Sequence, residues 1–206
     1  MNKKLFVTIA VIAIGISSCK KDDNTNNGNN NNNINYGTSV EPIKEMLTFS
    51  IYNSPYLQTD AAVTRANSFK SSIDGRVTHL GARLTKGTYT VSLWDSSAQS
   101  ILKTANVTVI DSTQFTYTDI DDVNIVKDKT YIIAVNTLPI GATQANKYWV
   151  YLIINSSDDF PKTKGNITVL NNLTKYTSDR TSLFPADFVA KEAIAGIGGF
   201  KFEPKQ

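Results

Sequence analysis

One cysteine and one histidine among 206 residues set the first limits on this chain. A lone thiol cannot build a disulfide framework, and one thiol with one imidazole cannot build a Cys/His zinc site. Positive charge is scarce as well, since 21 Lys and Arg oppose 18 Asp and Glu for a formal net charge of +3. Lys3 and Lys4 fall in an acid-free N-terminal segment, and without them the balance is about +1. Capture of nucleic acid needs a clustered basic face, so it is excluded as a working function. Long apolar runs are missing too. The run from Leu5 to Ile16 has 12 residues, against about 20 for a membrane-spanning helix.

Catalytic signatures are equally sparse. No phosphate-binding loop, dinucleotide fingerprint or Gly-x-Ser-x-Gly elbow occurs. A Ser/His/Asp set would have to use His79, which strand alternation places beside Arg83 on the face opposite Leu80, Ala82 and Leu84. Glycoside hydrolysis needs two carboxyls at a set separation, yet the four glutamates (Glu41, Glu45, Glu192, Glu203) flank the folded region. The expectation is a protein that is not an enzyme and uses no cofactor.

What is present begins with an address. Lys3 and Lys4, the apolar run and the small residues Ser17 and Ser18 have the layout of a secretory signal. Ile16-Ser17-Ser18-Cys19 resembles the bacterial lipobox, in which the cysteine is acylated after the leader is removed before it. Two or three acyl chains, palmitate among them, give a stable anchor where one does not. Lys20-Lys21-Asp22-Asp23 resembles the export signal that sends lipoproteins of Bacteroidetes to the outer face of the outer membrane. The expected order is a signal peptide at 1–18, lipidated Cys19 with a disordered tether through residue 39, and a domain at 40–206. Residues 24 to 36 contain nine Asn, a composition with no apolar face to offset the entropy of ordering it.

From residue 40 onward, period-2 patterns alternate with turn clusters. Leu47 to Ile51, His79 to Leu84, Tyr89 to Leu93, Ile101 to Val109, Thr113 to Thr118, Thr130 to Asn136, Lys147 to Ile154, Asn166 to Leu170 and Phe200 to Phe202 read as strands. Turns fall at Asp74-Gly75, Lys86-Gly87, Asp95-Ser96-Ser97, Asp121-Asp122, Lys127-Asp128-Lys129 and Lys164-Gly165. The expected fold is all-β: a two-sheet antiparallel β-sandwich, jelly-roll or immunoglobulin-like, of about nine strands. Helix is confined to a turn or two at Ala186 to Glu192.

Asn67 to Thr78, with its Asp74-Gly75-Arg76-Val77-Thr78 ending, the Lys86-Gly87 turn, Leu93-Trp94-Asp95-Ser96-Ser97 and Asp128-Lys129-Thr130-Tyr131 carry a resemblance. They are similar to an uncharacterised family of bacterial extracellular β-sandwich domains. That likeness spans about residues 64 to 136 and implies an accessory binding or adhesion role, since such domains often sit beside immunoglobulin-like and carbohydrate-active modules. The turn after Trp94 carries Ala98-Gln99 where the family usually has a glycine, and residues 138–196 depart from the pattern.

Two clusters bear on ligands. Asp119, Asp121 and Asp122 sit at the end of an expected strand, where hard oxygen donors could hold a structural Ca²⁺; the absence of EF-hand spacing favours a polar turn instead. Asp158-Asp159 is a weaker pair of the same kind. Aromatics give the stronger signal. In Lys147 to Ile154, Trp149 and Tyr151 share one face, spaced for stacking on sugar rings if the opposite face is core. Trp94 lies opposite Tyr89, Val91 and Leu93, suited either to a ligand or to packing beneath a loop. The expected function is a lipid-anchored cell-surface binding module for glycans. The alternative is a structural or adhesion protein that contacts another protein.

Overall fold

The computed structural model describes residues 34–48, 56–58, 63–143, 148–152, 160–176, 183–190, 193–195 and 197–206. The expected leader and tether through residue 33, with Cys19, and Asp158-Asp159 lie outside them.

Among the described residues one short helix, α1 (Pro42–Met46), precedes β1 (Tyr56–Gln58), β2 (Val63–Ser71), β3 (Gly75–Arg83), β4 (Gly87–Asp95), β5 (Ser100–Val109) and β6 (Thr116–Ile125). They are followed by β7 (Thr130–Asn136), β8 (Tyr148–Leu152), β9 (Lys162–Lys164), β10 (Ile167–Tyr176), β11 (Asp187–Ala190), β12 (Ala193–Ala195) and β13 (Ile197–Pro204). The large sheet runs β11-β10-β2-β7-β4-β5, with β9 also on β10; facing it is β13-β3-β6, and β1-β8-β12 forms a third, small sheet. Every strand pair is antiparallel. The expected β-sandwich is what the chain forms.

Alternation explains the core. Tyr89, Val91 and Leu93 of β4 and Tyr131, Ile133 and Val135 of β7 point inward with Phe69 of β2, to meet Val77 and Leu80 of β3 and Phe200 and Phe202 of β13. Phe69 is the link between layers, its ring stacked 4.4 Å from Phe200 across the sandwich and 5.9 Å from Tyr131 beside it. Fully burying side chains of this size contributes roughly 1.5–3 kcal/mol each.

Several sequence expectations are corrected. Leu47 and Thr48 close α1 as a turn rather than opening a strand, because Pro42 at the helix start and the buried Ile43 and Met46 favour a helical turn against β13. The helical turn expected over Ala186 to Glu192 is not formed across the described part, where Asp187–Ala190 pairs with β10 as a strand; residues 191–192 lie outside the described residues. Asp121 and Asp122 do not turn the chain, since β6 runs through them to Ile125. The folded unit also starts before residue 40. Tyr36 and Val40 bridge to Lys205 and Phe202, the Gly37 N–H donates to the Pro204 carbonyl at 2.7 Å, and the Arg76 guanidinium lies 4.0 Å over the Tyr36 ring. Residues 34–40 thus cover the open edge of β13 rather than belonging to the tether.

Glycine has a packing role on the β13-β3-β6 sheet. Gly81 of β3 and Gly199 of β13 are paired neighbours, overlaid by the stacked rings of Phe115 and Tyr117. A Cβ at Gly81 would stand 2.3 Å from Tyr117 Cδ1 and 2.9 Å from the Thr116 carbonyl oxygen. Gly81→Ala is therefore expected to destabilise the domain by about 2 kcal/mol, measured as a lowered midpoint of urea unfolding at unchanged slope.

Candidate functional site

The large sheet is buried on both faces at its centre. Beyond the main core, Ala66, Trp94, Ile132 and Ala134 form a second apolar cluster on the outer face, with Leu173 and Phe184 packed on it. Strand register builds it in rows. Trp94 pairs with Ile132, Ile132 with Ser68, and Ser68 with Asn171; alongside run Ser92, Ala134, Ala66 and Leu173.

A β-bulge decides who joins these rows. Ile167 and Val169 of β10 are wholly buried in the main core, and strict alternation would send residues 171 and 173 there too. The register shifts between Val169 and Asn171, leaving Leu170 extra, so Asn171 and Leu173 emerge on the outer face while Asn172 and Thr174 turn inward. Asn172 is then buried and donates to the Ala193 carbonyl at 3.0 Å.

Over this face lies a groove of about 430 Å³, within the ~300–1,000 Å³ usual for small-ligand sites. Ile132, Leu173 and Ser68 form its floor, Phe184-Pro185-Ala186 one wall, and Ser96 and Gln99 of the turn after β4 the other. No described lining residue is ionisable. Ser68 Oγ and Trp94 Nε1 are both buried without a hydrogen-bond partner among the described residues.

Asp95 shapes the second wall. Its Oδ1 accepts from the Ser97 N–H (2.9 Å), the Ser97 hydroxyl (2.7 Å) and the Ala98 N–H (3.1 Å), while Oδ2 meets Lys129 Nζ at 2.6 Å. These contacts, Lys129 first, then the Ser97 hydroxyl and the Ala98 N–H, hold its carboxyl well below the usual carboxylate range. The turn ends with Gln99 in the left-handed region at φ 52°, where a residue with a Cβ is disfavoured and glycine is not. This is the turn where the resemblance leads one to expect glycine.

The sequence-derived candidates fall out as follows. Trp94 is only 5% exposed, its ring edge-on to Phe184 at 5.7 Å, so it supports the groove from below and is not an open platform. Trp149 is half-buried against the main core, donates from Nε1 to the Ser112 carbonyl at 2.8 Å, and has the Arg83 guanidinium 5.6 Å over its ring. Trp149 is thus packed with its indole N–H satisfied, the alternative to an outward stacking face. The Tyr151 side chain lies outside what the structure describes. The acidic cluster is spread over separate partners: Asp122 pairs with Arg76 at 2.5 Å, Asp121 with Lys103 at 2.5 Å, and Asp119 lies 3.9 Å from His79 Nε2. No group of three potential metal ligands converges among the described residues. Sequence reasoning missed Ser68, Asn171, Gln99 and Phe184; only the unusual turn at Ala98-Gln99 signalled any of them.

A scan against protein-family models finds no match, and a search of curated proteins finds no significant relative.

Two outcomes are expected. Because Asp95 titrates in the folded state below its ordinary value of 3.8, its stabilisation is complete above that value and is lost as pH falls through the folded one. Asp95→Ala should cost about 3 kcal/mol at neutral pH, and its stability, followed by urea unfolding from pH 7 into strong acid, should fall less below about pH 4 than that of the parent. Trp149→Ala should lower stability by about 3 kcal/mol, the price of a cavity and a lost hydrogen bond, seen as a drop in melting temperature.

Proposed function

We propose that this chain is a non-catalytic, lipid-anchored cell-surface module that binds glycans, held through Cys19 in the outer membrane and facing the exterior. The observation that carries the binding reading is the uncharged groove on the outer face of the large sheet. It combines an aromatic wall with amide and hydroxyl groups, the mixture by which proteins hold rings that have apolar faces and polar rims. The leader, the lipobox-like Cys19 and the Asn-rich segment support the anchored placement.

The second reading, contact with another protein, has its own observation. Among the described strands β5 is the last of the large sheet, with β6 beside it, and Ile101 and Leu102 on β5 are 44% and 39% exposed. An edge of this kind can accept a partner strand. Lys103 and a register irregularity opposite Leu93 and Trp94 are features that discourage such pairing, which is why the groove is preferred.

Cys19→Ser is expected to release the protein from membranes with its fold unchanged, checked by fractionation and circular dichroism. Retention of that variant on membranes would contradict the anchor. The released chain on a glycan array should bind a subset of saccharides; binding to none, with capture by β-strand peptides instead, would favour the protein-contact reading.

A further inference from the structure

The groove carries enough chemistry to name the kind of saccharide it would take. We infer that, given the glycan-binding reading on which this rests, the outer-face groove selects neutral saccharides, with Ser68, Asn171 and Gln99 contacting ring hydroxyls beside the Phe184 ring.

Charge is the first reason. A uronate, sulfated or sialylated sugar brings an anion that costs several kcal/mol to desolvate unless a cation or a set of donors meets it. No described lining residue is a Lys, Arg or His. Lys129, the cation beside the turn wall, is already committed to Asp95. The seam between β5 and β6 shows the contrast: a second groove there, of about 410 Å³, is lined by Lys103, Asp119 and Asp121 and would suit ionic partners.

Hydrogen bonding excludes two other occupants. A peptide added as a strand needs free main-chain groups, but the groove lies on the face of β2, β7 and β10, each hydrogen-bonded to a strand on both sides. An acyl chain would leave the groove's amides and hydroxyls without partners. Ser68 Oγ is already buried without one among the described residues, and a ligand hydroxyl would supply it.

Backbone strain gives an independent reason to single out Gln99. It holds a left-handed conformation at φ 52° where glycine would sit without strain, and it keeps a side chain that lines the groove. Retaining an amide there makes sense when the amide has something to contact.

The test is affinity gel electrophoresis of the full chain carrying Cys19→Ser, through neutral polysaccharides (hydroxyethylcellulose, galactomannan, arabinoxylan) and acidic ones (polygalacturonate, alginate). Retardation by at least one neutral polymer and by no acidic one is expected. Gln99→Gly and Ser68→Ala in the same background should each weaken that retardation tenfold or more, while their melting temperatures stay level or rise. Retardation by acidic polymers alone, or neutral retardation that both variants leave intact, would overturn the inference while leaving glycan binding standing. Absence of retardation by every polymer, with correctly folded protein, would defeat the glycan-binding reading itself.

Discussion

The rest of the structure depends on the burial of β7 on both of its faces. Tyr131, Ile133 and Val135 fill the sandwich core, and Ile132 and Ala134 need cover on the other side. A two-layer sandwich supplies only the first. The second comes from Trp94 on the neighbouring strand, Leu173 delivered by the bulge in β10, and Phe184 from the segment before β11. Covering a sheet face with a few side chains and a short loop, instead of a third layer, leaves a groove between them. The candidate site is thus a consequence of how this face excludes water.

Much of the fold was legible because the core strands obey a period of two. Tyr89 to Leu93 and Thr130 to Asn136 were read correctly, since their branched and aromatic residues alternate or run continuously as half-buried and fully buried strands do. β2 was not named from periodicity. Its inner face carries Arg65 and Asn67 as well as Phe69, so a central strand looks polar. The bulge in β10 hid the second half of that strand for a related reason: after Leu170 the parity changes, and a pattern that breaks phase reads as an end. Asn171 and Leu173 were lost to the site with it. The aspartates of β6 look like turn residues because Asp favours turns in general, whereas here Asp122 and Asp121 pair with Arg76 and Lys103 along an exposed strand and Asp119 lies beside His79.

The tryptophans show the limit of composition as a guide to binding. Both stood out in the sequence as large aromatics on strands, and both are packed, Trp94 under Phe184 and Trp149 against the core with its indole N–H satisfied. What marks the candidate face is the neutrality of a groove, a buried hydroxyl without a partner among the described residues and a side chain kept at a left-handed position. None of these is visible before the chain is folded. The Leu93-Trp94-Asp95-Ser96-Ser97 segment joins the two scales: Trp94 covers the sheet while Asp95, fixed by Lys129, shapes the turn that walls the groove.

The most direct test of the proposed site is amide chemical-shift mapping during titration with a neutral cello- or manno-oligosaccharide. Perturbations should cluster on Ser68 of β2, Ile132 of β7, Asn171 and Leu173 of β10, and the turn from Ser96 to Gln99. Shifts confined to Trp149 and its neighbours, or to β5, would contradict the account.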